Sequence, residues 1–68
     1  MSDNIYKIIE LVGSSPDGSD AAIRNAISRA SKTIKNLDWF EVIESRGHIV
    51  NGNIAHFQVT LKAGFRLE

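Results

Sequence analysis

A chain of 68 residues makes one domain, with no room for a second, and folding at this size buries only ~60% of the unfolded surface. Eight basic and eight acidic residues cancel, which argues against a general nucleic-acid binder, whose footprint is usually strongly basic. There is no cysteine for a disulfide, and His48 and His56 fall short of the four ligands a structural zinc wants, so no metal is expected and oligomerisation is the remaining way to reinforce a small core.

The chain starts "MSDNIYKII", without the basic start and apolar core of a signal peptide. No apolar run is long enough to span a bilayer, so a cytoplasmic protein with no membrane partner is expected. Residues 4–12, "NIYKIIELV", are rich in β-branched and aromatic side chains and predict a first strand. The turn formers of "GSSPDGS" follow, including the only proline. A helix is expected over residues 20–35, capped by Ser19 or Asp17, with Asp20 in the positive first turn and Lys32 and Lys35 in the last. Ile23, Ala26, Ile27, Ala30, Ile34 and Leu37 recur at helical spacing and form its apolar stripe.

Residues 38–50 and 54–67 are two long strand patterns around "VNGN". Asn-Gly is the strongest short hairpin signal, because both central residues of a type I′ turn need positive φ. The expected class is therefore α+β: a β-α-β-β chain with a three-stranded, mostly antiparallel sheet packed on one helix. A two-residue turn at Asn51 and Gly52 pairs Val50 with Asn53 and fixes the register. Phe40 then faces Ala63, Val42 faces Leu61 and Glu44 faces Val59, a mostly apolar set that belongs against the helix. The other face pairs Trp39 with Gly64, Glu41 with Lys62, Ile43 with Thr60 and Ser45 with Gln58. One helix covers one face, so Phe40 is assigned to the core and Trp39 to the uncovered side.

An outward tryptophan has two readings. It can plug a subunit interface, where tryptophan is enriched, or offer its indole as a stacking platform for a flat ligand. Gln58 shares the face and carries the donor and acceptor needed to read the edge of a heterocycle. Six residues separate the two positions, which is ~20 Å at ~3.3 Å per residue, so a single ligand touching both would draw them from different subunits. Arg46 precedes Gly47 in "ESRGHI", where a β-bulge would turn the arginine to the uncovered face. His48 and His56 have no nucleophile or carboxylate constellation beside them in the pattern. The glycines of "GSSPDG" precede a helix amino terminus but match no phosphate-binding fingerprint. Arg29, Lys32 and Arg66 are cations that read as a solvated face or as phosphate contacts.

Over essentially its whole length the chain resembles the dodecins, small flavin-binding proteins of bacteria and archaea. The residues that carry the likeness are "YKIIELVGSSP", "AISRASKTIKNLDWFEVIESRGHI" and "HFQVTLKAGFRLE", in that order and at these separations. The resemblance implies one dodecin-like flavin-binding domain over residues 1–68 that assembles into a hollow, spherical homododecamer. It implies flavins stacked in pairs between tryptophans of different subunits, with Trp39 as the stacking residue and Gln58 on the polar edge of the isoalloxazine. Arg46 and the backbone around Asp38 would lie beside the ring or its side chain. The "ESRG" form is that of the bacterial branch and implies FMN, with riboflavin or FAD as alternatives. Coenzyme A, carried by some bacterial members, would make Arg29, Lys32 and Arg66 phosphate contacts. The expected function is flavin storage and sequestration with quenched photoreactivity, and no catalytic residue. A structural or partner-binding oligomer with Trp39 as a plug, and a flavoenzyme using His48 or His56, are the alternatives.

Overall fold

The computed structural model describes residues 3–67. Strand β1 spans Tyr6–Ser15, helix α1 Ser19–Ala30, strand β2 Leu37–Val50 and strand β3 Asn53–Arg66. The sheet is antiparallel throughout in the order β1-β3-β2, so the last strand of the chain lies in the middle. The β-α-β-β order and the α+β class are as the sequence predicts.

β1 runs three residues beyond its expected end, through Gly13, Ser14 and Ser15, because each finds a partner on β3: Val59, Gln58 and Phe57. Ladder pairing here overrides the turn preference of glycine and serine. Neither expected cap closes the helix, since Gly18 holds the N-cap position and no side chain bonds there. Asp17 instead donates its backbone N–H to Ser15 Oγ at 3.0 Å. Asp20 does sit in the first turn, where a carboxylate complements the helix dipole.

At its other end α1 stops at Ala30, five residues short of the expected Lys35. The Ser31 hydroxyl bonds the Ser28 carbonyl and the Thr33 hydroxyl bonds that of Ala30, and local bonds of this kind compete with helix continuation. Backbone turns carry the chain to Asn36, whose φ of 67° reverses it into β2. Arg29, rather than Lys32 or Lys35, is the basic residue of the last helical turn.

The core is narrow. Val59, Leu61 and Ala63 of β3 are fully buried with Ala22 of α1, and Leu11, Ile23, Ala26 and Ile27 pack around them. Gly13 allows the closest approach of helix to sheet, since a Cβ there would meet the Ala22 carbonyl and lie 3.0 Å from Ala26 Cβ. The helix rests on β1 and β3, and β2 has no buried residue. Phe40 therefore differs from expectation. It faces the helix side, lining an apolar groove with Ile23 and Ile27, but is 50% exposed in the single subunit.

Hairpin register departs from a uniform ladder at three points. The turn is as predicted, with Asn51 at φ 52° and Gly52 at φ 78°, and Val50 pairs with Asn53. Trp39 to Val42 also pair with Gly64 to Leu61 as expected. Between these stretches, Ala55 is an extra residue on β3 and Ile43 an extra residue on β2, so the two shifts cancel. Asp38 is a third, between Leu37 and Trp39. The expected pairs of Ile43, Glu44 and Ser45 are thereby corrected: Glu44 faces Thr60, Ser45 faces Val59 and Arg46 faces Gln58. The physical reason is visible in the first of these. Without the bulge Glu44 would point its carboxylate at the buried Val59; with it, Glu44 moves to the outer face.

Candidate functional site

The sheet's outer face, away from α1, carries two clusters at opposite ends. The first is built on Trp39. Its indole lies across Gly64 of the central strand, where any Cβ would collide with ring carbons and sit 2.6 Å from Nε1. Glycine is what lets the ring lie down on the sheet. From the far strand the Tyr6 ring meets the indole edge-on, with centroids 6.4 Å apart and planes at 64°. The Tyr6 hydroxyl donates to Asp38 Oδ2 at 3.1 Å. The bulge at Asp38 gives that residue no ladder partner, which frees it for this contact, as bulges beside sites commonly do. Trp39 so held is still 39% exposed, an apolar plate open on one side.

The second cluster lies toward the hairpin turn, six residues along β3 from Gly64. Arg46 Nε donates to Gln58 Oε1 at 2.7 Å, and Arg46 Nη1 lies 3.5 Å from Glu44 Oε1. Arg46 faces outward as expected, but through the bulge at Ile43 rather than one at Gly47. With its oxygen taken, the Gln58 amide presents its NH2 donors, which suits a ligand edge rich in carbonyl acceptors. The ion pair is exposed at both ends and adds little stability by itself; its effect is to orient Gln58.

The three cations read as phosphate contacts do not gather within one subunit. Arg29 and Lys32 line a cleft of about 520 Å³ between α1 and β1, with Ser14 and Asn25. Arg66 pairs with Tyr6 at the Trp39 end of the sheet instead. His48 and His56 face each other across the hairpin as stacked rings. Among the described residues no group of three or more His, Cys, Asp or Glu is assembled as for a metal ion. Among the described residues no helix is long and apolar enough to cross a membrane either.

Tyr6 is the member of the first cluster that sequence reasoning passed over. Its signal was available: with β1 antiparallel to β3, an aromatic at the start of one strand falls beside the end of the other, where Gly64 and Arg66 lie.

Comparison with known proteins bears on this arrangement directly. The family model described as Dodecin matches residues 5–68. The chain belongs to the dodecin family. A curated dodecin of Thermus thermophilus is 53% identical over 64 residues, covering 94% of this chain and 93% of that protein. The solved dodecin from Streptomyces davaonensis superposes with a TM-score of 0.94 at 58% identity, covering 98% of each chain. The dodecin of Streptomyces coelicolor does so with a TM-score of 0.94 at 59% identity, over 100% of this chain and 97% of its own. Dodecins are small flavin-binding proteins, so a flavin-type ligand is the family's general expectation.

Proposed function

We propose that this dodecin stores and sequesters flavin by stacking isoalloxazine rings on Trp39 at contacts between subunits of a hollow homododecamer. The observation that carries this reading is the indole laid flat over Gly64, braced by Tyr6 and open on its outer side. A flat aromatic ligand fits such a plate, and ring systems stack favourably in offset contact. Gln58, oriented by Arg46, supplies donors for the carbonyl-rich edge of the ring. It lies ~20 Å along β3 from the Trp39 plate, so the plate and the edge reader serving one ligand come from different subunits. The backbone around Asp38, whose side chain accepts from the Tyr6 hydroxyl, would lie beside the ring or its side chain.

Self-association has its own support. β2 is a 14-residue edge strand with Phe40, Val42, Ile43, Ile49 and Val50 exposed, an edge that a single soluble subunit would expose to uncontrolled pairing. In the assembly, tryptophans from paired subunits would cover both faces of a flavin pair. That leaves a substrate no approach, and the protein on this reading binds rather than turns over. Contact with an electron-rich indole would also give the excited flavin a fast quenching route. FMN is the flavin favoured, with riboflavin or FAD as alternatives. Arg29 and Lys32, which share a cleft, would contact the phosphates of a coenzyme A, with Arg66 available only from another subunit.

The test is direct. Protein purified without added ligand should absorb in the blue, release a flavin on acid denaturation, and quench the fluorescence of added FMN. Colourless protein that leaves FMN fluorescence unchanged would favour the plug role for Trp39.

A further inference from the structure

His48 and His56 take no part in the flavin reading, yet the fold places them with some care. They are directly opposed partners on β2 and β3, and their imidazoles lie face to face with centroids 5.5 Å apart and planes at 18°. The register that brings them together depends on two bulges. The extra residue at Ile43 shifts β2 forward, and the extra residue at Ala55 restores the turn register just beyond the pair. In the uniform ladder set by the Asn-Gly turn, His48 would face Ala55 and lie on the opposite face from His56.

We propose that His48 and His56 together bind a divalent transition-metal ion of the copper, nickel or zinc kind. Neutral imidazole is a preferred ligand for these ions, with metal–nitrogen distances of ~2.0–2.1 Å. Directly opposed residues on an antiparallel pair have Cβ atoms ~4.5–5.5 Å apart, close enough for two rings to bind one ion. Bringing the ring nitrogens onto it requires only rotation about the terminal torsion, which is broad for histidine. His48 is exposed and His56 half-buried, so solvent reaches the site and water completes the coordination sphere. Two protein ligands make an exchangeable site, distinct from the four-ligand structural zinc that this sequence lacks. Arg46 is the nearest cation on the face, one pair along, and its charge is engaged by Glu44 and Gln58. The copper(II) complex should be the tightest of the three, following the general order of divalent affinities.

The experiment is titration of the intact oligomeric protein with copper(II), followed by electron paramagnetic resonance and calorimetry, alongside His48→Gln and His56→Gln. The expected result is one ion per chain with two imidazole nitrogens in its equatorial plane. Either substitution should weaken binding roughly 100-fold, because the second ligand acts at the high effective concentration of an intramolecular contact. Both variants keep the rest of the hairpin and should retain the circular dichroism and oligomer size of the parent. Copper bound equally well by parent and variants, a spectrum with a single nitrogen ligand, or no saturable binding by the parent would each overturn the proposal.

Discussion

Gly13 and Gly64 are both glycine because a neighbour occupies the place of a Cβ, but the neighbours differ in kind. Behind Gly13 is the backbone of α1 at Ala22, with Ala26 beside it. Behind Gly64 is the indole of Trp39, a side chain on an exposed edge strand. A helix backbone locked into the buried core cannot step aside, whereas an indole can swing on two torsions. The first close approach therefore secures the fold and the second sets the pose of one ring. Stability and ligand recognition occupy opposite faces of the same thin sheet, and mutations should separate them.

Gly13→Ala should have the largest effect. Overpacking against an unyielding neighbour costs ~1–3 kcal/mol or more, a large share of the ~3–5 kcal/mol that a core of this size supplies. Thermal denaturation should show a strongly lowered midpoint or failure to fold, and a midpoint within a degree of the parent would break the comparison. Trp39→Ala should abolish most flavin binding while leaving the assembly intact, read by fluorescence titration beside size-exclusion chromatography. Gly64→Ala sharpens the contrast. It should displace the indole and weaken flavin binding while lowering the unfolding midpoint far less than Gly13→Ala; equal losses from the two alanines would show that the pose of Trp39 is part of the fold. Gln58→Ala should weaken flavin binding by about the 0.5–1.5 kcal/mol of a net hydrogen bond, and an unchanged dissociation constant would remove Gln58 from the site. Tyr6→Phe should be smallest. It keeps the edge contact with Trp39 and loses only the exposed bond to Asp38, so binding should shift by no more than the low end of that range, ~0.5 kcal/mol.

Much of this geometry is legible in the amino-acid sequence. The Asn-Gly turn fixed the hairpin, and counting back from it set Trp39 against Gly64 on the face away from the helix, where the structure has it. The count does not include the bulges, because a register carried back from one turn assumes that no residue is skipped on either strand. One clue was present: the uniform register aimed Glu44 at Val59, a carboxylate among buried aliphatics. Resolving that misfit takes one extra residue on β3 between the turn and Glu44 and a compensating one on β2 before Glu44, which pairs Arg46 with Gln58. Ser19 and Asp17 have the chemistry of a cap, yet Gly18 takes the N-cap position and Ser15 Oγ accepts from the Asp17 amide. The extent of helical cover was not legible at all. Periodicity shows which stripe of α1 is apolar, but not that twelve residues reach only β1 and β3, leaving Phe40 for a groove that stays half open.

The strand order carries a kinetic consequence. β3 is both the centre of the sheet and the last element of the chain, so no strand pairing can form until residues beyond 53 are available. The β2–β3 hairpin can then zip locally, on the ~1–10 μs scale of such turns. Joining Tyr6 to Arg66 must instead close the stretch from Tyr6 to Leu37, which the hairpin already holds beside Phe65, and that loop, with the helix inside it, has a larger entropic cost than the two-residue turn. The late step of folding is thus the one that buries Leu61 between helix and sheet, and it brings Tyr6 against Trp39 in the same movement. A chain that has not closed its core has not yet braced its stacking plate.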